Sequence, residues 1–303
     1  MSIYFFNFFK KLLTVSIDQS LKLSLNGDDI MKKVLLVISV LVTTLTTIYL
    51  VYSNTKKVDN NKNTSNYLED NKNLSDFKID EVYHSSEYGD IHYSVYIPSD
   101  YDSSKSYPLY ITLPGYEGLY FQGVGVNLKY ESFATEALKI NKEMFILAPQ
   151  LNDWGYRSAN ETIALIEYYK NNFNINKVYA NCYSGGGETM SLVMGKRADL
   201  IDAYLQVSSK WDGDYNSTVE NKTPVYFVIG KDDEYYGSSP TINAYNTLYS
   251  MYENIGLSKE EIDNLLVLDI KEKDYFSNRG INNEHAGGGL IAFDTDIMTW
   301  LLT

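Results

Sequence analysis

The sequence predicts an α/β fold: a mostly parallel central sheet, entered through an antiparallel hairpin and wrapped by helices on both faces. Three observations carry that expectation. Two alternating stretches, residues 78–86 and 91–97, flank Tyr88-Gly89-Asp90 as the arms of a hairpin do. Behind them, short apolar runs alternate with helix-length segments, which is the pattern of strands buried on both faces by crossover helices. One such run, 178–182, passes through Ser184 directly into Gly185, Gly186 and Gly187, so a strand, a sharp corner and a helix start succeed one another without a loop.

Taken in order, the hairpin ends at Pro98, which removes a ladder donor. Residues 109–113 lie between Pro108 and Pro114 and read as an inner strand, and 144–148 read as another. Residues 158–172 predict a helix. Ser158 and Glu161 have capping-box spacing, and Ile163, Ile166 and Tyr169 come after them at helical intervals. The strand 178–182 and a helix over 187–196 come next, then strands 203–207 and 225–229. A helix over 242–255 is closed by Gly256. The last strand is 265–270, and 290–301 predicts a C-terminal helix with Leu290, Phe293, Ile297 and Trp300 on one side. Strand–helix–strand connections of this kind run parallel and right-handed.

Ahead of this domain, expected over residues 77–303, the chain changes character. Residues 1–30 are an extension of uncertain status, because Met31-Lys32-Lys33 reads as a second possible start. Residues 34–52 carry no charge over about 19 positions, enough to cross a bilayer core. Lysines precede them, so 31–53 is expected to be a signal peptide cut near Val51-Tyr52-Ser53 or an uncleaved signal anchor. Residues 54–76 are rich in Asn, Lys and Ser and read as a disordered linker. The expectation is a domain outside the cytoplasm, tethered to the membrane by an N-terminal helix or secreted.

Composition removes several classes. A net charge of −13 argues against a nucleic-acid partner. Cys182 is the single cysteine, so neither an internal disulfide nor a thiolate zinc site can form, and no metal or cofactor is expected. The glycine- and aromatic-rich loop 117–127 lacks the strand-then-helix setting of a dinucleotide fingerprint.

In open α/β sheets reactive groups gather beyond the carboxyl ends of the strands. Ser184 follows the strand 178–182 in Cys182-Tyr183-Ser184-Gly185-Gly186, the G-x-S-x-G elbow pattern with cysteine at its first glycine. The acids Asp232, Asp233 and Glu234 come after the strand 225–229, and His285 comes after the strand 265–270. His84 and His92, the other two histidines, lie on the leading hairpin, which leaves His285 as the candidate base. A serine hydroxyl is a weak nucleophile until a base takes its proton. An imidazole does so at neutral pH, and a carboxylate orients it.

On Tyr183-Ser184-Gly185-Gly186, Gly230-Lys231-Asp232-Asp233 and His285, in that order, the chain resembles the α/β-hydrolase superfamily from about residue 77 to its end. Within it the likeness is to bacterial secreted esterases of the feruloyl-esterase or polyhydroxybutyrate-depolymerase kind and to prolyl-oligopeptidase catalytic domains. The resemblance selects Asp233 as the acid, three residues beyond the glycine ending its strand. It implies oxyanion donors at the backbone N–H of Gly185 and, after the strand 109–113, of Tyr116. It implies a serine hydrolase that cleaves a carboxylic ester, small or polymer-borne, through an acyl-enzyme. The alternatives are a prolyl-oligopeptidase-like peptidase and an inactive surface binding module. Trp154, Trp211 and Tyr183 are the expected substrate-pocket residues, with Tyr235 and Tyr236 beside the acid.

Overall fold

The computed structural model describes residues 74–116 and 123–303. The expectations for 1–30, for 31–53 and for most of the linker 54–76 lie outside the described residues. Among the described residues, no helix is long and apolar enough to cross a membrane.

Eight strands form one sheet: β1 (Phe77–Ser85), β2 (Gly89–Tyr96), β3 (Tyr107–Leu113), β4 (Phe145–Pro149), β5 (Ile175–Tyr183), β6 (Ala203–Val207), β7 (Val225–Gly230) and β8 (Leu266–Lys271). Their order is β1-β2-β4-β3-β5-β6-β7-β8. β1 and β2 pair antiparallel, as do β2 and β4, and every later pair is parallel. Among the described residues β1 closes one margin of the sheet, and its pairing slips between Lys78 and Glu81, where Asp80 takes a left-handed φ of 63°.

Nine α-helices are described: α1 (Val126–Tyr130), α2 (Phe133–Ile140), α3 (Tyr156–Asn172), α4 (Gly185–Arg197), α5 (Asn216–Asn221), α6 (Ser239–Asn254), α7 (Lys259–Leu265), α8 (Lys273–Ser277) and α9 (Thr295–Leu302). The period-2 alternation of the inner strands sorts them into layers. Leu109, Ile111, Leu113, Val178, Ala180 and Phe227 face the core shared with α3, α4 and α6. Tyr110, Tyr179, Leu205, Val207 and Val228 face the other way, against α1, α2 and α9. Both sheet faces are therefore sealed, and each fully buried Leu, Ile or Val contributes about 1.5–3 kcal/mol of burial.

Three local expectations are corrected. Ser158 does not cap α3, which begins at Tyr156 with Gly155 as its N-cap. The Ser158 Oγ instead accepts from the backbone N–H groups of Asn152 and Asp153, at 2.8 and 3.0 Å, and Glu161 turns to Asn152 and Arg157. The pair ties down the loop before the helix. A capping box does form at Ser258 and Glu261, opening α7. The expected C-terminal helix is two pieces, a 3-10 helix at Ala286–Phe293 and then α9, restarted by the Asp294 side chain, which accepts from the Ile297 N–H. Phe293 falls at the join and is exposed, while Leu290 and Ile297 are buried.

Candidate active site

β5 ends at Tyr183 and α4 begins at Gly185, leaving Ser184 alone at the corner with φ 51° and ψ −125°. A non-glycine residue held there costs about 1–3 kcal/mol, which the surroundings must offset. The Ser184 N–H donates to the Val207 carbonyl at 3.0 Å, extending the β5–β6 ladder by one bond. Its carbonyl accepts from the Gly187 N–H at 2.8 Å and from the Ser209 hydroxyl at 2.6 Å. Close packing supplies the rest. A Cβ on Gly186 would lie 2.5 Å from the Pro114 carbonyl oxygen, so only glycine lets α4 pass the end of β3. The cysteine at the elbow's first position also has its space: a Cβ on Gly187 would lie 2.9 Å from the Cys182 sulfur. Cys182 is buried beside the Tyr204 hydroxyl at 2.9 Å, and burial pushes its thiol up to about 12.

The structure brings together the three residues that the sequence spaces far apart. Ser184 Oγ lies 2.9 Å from His285 Nε2, and His285 Nδ1 lies 2.8 Å from Asp233 Oδ2. The Asp233 side chain is fully buried, and that of His285 is 17% exposed. Asp233 Oδ1 accepts from the backbone N–H groups of Tyr235 and Tyr236, at 3.0 and 2.8 Å, which leaves Oδ2 for the imidazole. Three rings enclose that imidazole: Tyr235 with its centroid 5.1 Å away, Tyr236 at 5.4 Å and Tyr183 at 6.0 Å. His84 and His92 pair instead with Asp90 and Asp80 on the hairpin.

The pocket residues divide. The Trp154 indole lies directly on Gly185, where an added Cβ would come within 2.4 Å of the ring. It therefore forms a wall beside Ser184. Trp211 corrects the expectation: it is a core residue, stacked on Tyr215 at 5.4 Å and packed against Phe227 at 6.0 Å. Tyr183 is part of the frame, because its hydroxyl donates to the His285 carbonyl at 2.8 Å. Tyr116 is 60% exposed. Its neighbour Gly115 donates its N–H to Glu131 Oε1 at 2.6 Å and packs against the Tyr183 ring, which sets the loop after β3 beside the elbow.

Glu188 went unread in the sequence. It lies in the first turn of α4 and accepts from the Tyr236 hydroxyl at 2.6 Å. Burial, then Glu188, holds the Tyr236 phenol well above its ordinary range, so it remains protonated. Among the described residues, no group of three or more His, Cys, Asp or Glu is arranged to hold a metal ion.

No family model and no curated protein matches the sequence. Solved structures do match. A thermostable esterase aligns with a TM-score of 0.62 at 19% identity, over 76% of this chain and 63% of its own. The chain has the α/β-hydrolase fold. Oligopeptidase B from Leishmania major aligns with a TM-score of 0.50 at 13% identity, over 76% of this chain and 38% of its own. A fluorophosphonate-binding serine hydrolase from Staphylococcus aureus gives a TM-score of 0.50 at 13% identity, over 75% of this chain and 98% of its own. The chain thus spans less than two thirds of the length of the esterase and of the peptidase. The eight-stranded sheet with its antiparallel leading hairpin is the architecture expected from the sequence.

Proposed function

We propose that this α/β-hydrolase domain is a serine hydrolase whose substrate is a carboxylic ester. The observation that carries the reading is the continuous hydrogen-bonded chain from Ser184 through His285 to Asp233, ending at a strained corner before a helix. His285 Nε2 takes the Ser184 proton as Oγ bonds to the ester carbonyl carbon. The carbonyl oxygen gains the negative charge, next to the Gly185 N–H at the positive end of α4 and the loop carrying Tyr116. Collapse of the tetrahedral species breaks the carbon–oxygen bond, and the imidazolium gives its proton to the leaving alcohol. Water then repeats the sequence on the acyl-serine and frees the acid. Asp233 keeps the Nδ1–H tautomer and offsets the imidazolium charge. The Trp154 wall gives an acyl or aromatic group an apolar surface.

The ester assignment draws on the esterase alignment, whose TM-score of 0.62 exceeds the 0.50 of the peptidase. The uncharged run 34–52 behind Lys32 and Lys33 supports a domain exported across the membrane. The deciding experiment offers residues 77–303 a panel of p-nitrophenyl esters beside prolyl p-nitroanilides, with a fluorophosphonate probe in parallel. Ester turnover and labelling at Ser184 support the reading. Cleavage of the anilides alone makes the protein a peptidase, and an unlabelled Ser184 makes it a binding module. Protease accessibility of the domain on intact cells tests its location.

A further inference from the structure

We propose that Glu284 and Glu234 are positioning residues, a reciprocal pair of carboxylate clasps that fixes His285 against Asp233. The effect on rate rests on the serine-hydrolase reading above; the clasp itself is a matter of geometry.

β7 and β8 are adjacent and parallel, so the loops beyond them leave the same sheet edge. Asp233 sits close behind the end of β7 at Gly230, whereas His285 is reached only after α8 and a further turn beyond the end of β8 at Lys271. Strand geometry therefore fixes the acid far better than the base. Two crossing hydrogen bonds make up the difference. Glu284 Oε2, from the residue before the base, accepts from the Asp232 N–H, the residue before the acid, at 2.8 Å. Glu234 Oε2, from the residue after the acid, accepts from the N–H of His285 itself at 3.1 Å. The His285–Asp233 bond at 2.8 Å lies between them.

Glu284 is 2% exposed and occupies space that Gly230 leaves open, since a Cβ there would come 2.6 Å from both Cβ and Oε2 of Glu284. Burying a carboxylate is costly unless it is hydrogen-bonded. An apolar side chain would fill the same space without that cost and would strand the Asp232 amide. What the position supplies is an acceptor for the opposite loop. Glu234, by contrast, is exposed, so packing does not hold it in place.

The test uses alanine and glutamine variants, because glutamine keeps a carbonyl acceptor and loses only the charge. Displacing a catalytic group by a fraction of an ångström costs about tenfold or more in rate. Glu234→Ala and Glu284→Ala are therefore expected to lower kcat by about tenfold with KM nearly unchanged, and the two Gln variants to stay within about threefold of wild type. The second readout needs no turnover. The chain has three histidines, so 15N-histidine spectra resolve each ring. His285 is expected to lose its fixed Nδ1–H tautomer in the Ala variants and to keep it in the Gln variants. Wild-type kcat together with an unchanged His285 ring in Glu234→Ala overturns the proposal, and so do Gln variants that fall as far as Ala. If Glu284→Ala does not fold, exposed Glu234 decides the matter alone. If the wild type hydrolyses no ester, the function above falls while the ring spectra still judge the clasp.

Discussion

The Ser184 hydroxyl and His285 Nε2 meet at 2.9 Å although 101 positions of sequence separate them. A contact of that length passes a proton without rearrangement. Ser184→Ala and His285→Ala are each expected to lower kcat on p-nitrophenyl esters by about 10⁴-fold or more, since residues of such a unit act together. Thermal unfolding should move by only a few degrees, because neither side chain fills core space. Normal turnover in either variant removes that residue from the mechanism.

Asp233→Asn should act through hydrogen-bond polarity. Oδ1 is held by the Tyr235 and Tyr236 amides, so an asparagine keeps its oxygen there and turns its NH₂ toward His285 Nδ1. The imidazole must then accept at Nδ1 and carry its proton on Nε2, where Ser184 needs an acceptor. A loss of about 10³–10⁴-fold in kcat is expected with the fold intact, read by steady-state kinetics beside circular dichroism. A variant within tenfold of wild type would exclude Asp233 as the orienting acid.

Gly186→Ala should damage folding more than chemistry. Its Cβ would press on backbone, the carbonyl oxygens of Pro114 at 2.5 Å and Leu113 at 2.8 Å, and neither can swing aside. A loss of about 1–3 kcal/mol in chemical denaturation is expected, as for other overpacked sites. An unchanged denaturation midpoint would show that α4 and β3 have slack between them.

Cys182 should resist alkylation in the native protein. Burial raises its thiol from 9.0 to about 12, so at pH 8 the native state holds almost no thiolate. A folded-state value raised above the unfolded one contributes stability that is complete below 9.0 and is lost as the pH climbs toward 12. Iodoacetamide at pH 8 is expected to modify the protein only after denaturant is added, as mass spectrometry would register. Rapid native labelling would contradict the burial.

Much of the fold, and the candidates Ser184, Asp233 and His285 that the structure places in contact, were legible in the sequence because the signals were local. Apolar runs of strand length marked the inner strands; Ser184 and Asp233 stand just beyond the carboxyl ends of two of them, and His285 lies in the longer segment after the last. What failed depended on which of several available partners each side chain takes once the chain is folded. Ser158 and Glu161 have the spacing of a cap, yet two upstream amides compete for that hydroxyl. Trp211 looked like a rim residue because it comes after a strand, and spacing alone does not show that Tyr215 and Phe227 pack it into the core. Residues 290–301 share one apolar side, but helical spacing carries no mark of the break that Asp294 makes. Glu188, Glu234 and Glu284 act on groups brought near only by the sheet order, so their roles appear once β7, β8 and α4 are in place.

The slip in β1 bears on how the protein behaves in company. An outermost strand with a regular row of unpaired amides invites a neighbour to zip on, the first step toward fibrils. Here the row is interrupted at Asp80, whose carboxylate meets the His92 ring at 2.5 Å, and Lys78 and Glu81 bring charge to the same margin. A recruited strand would lose its register at that point and have to desolvate charge to continue, so this side of the molecule is a poor seed for self-association.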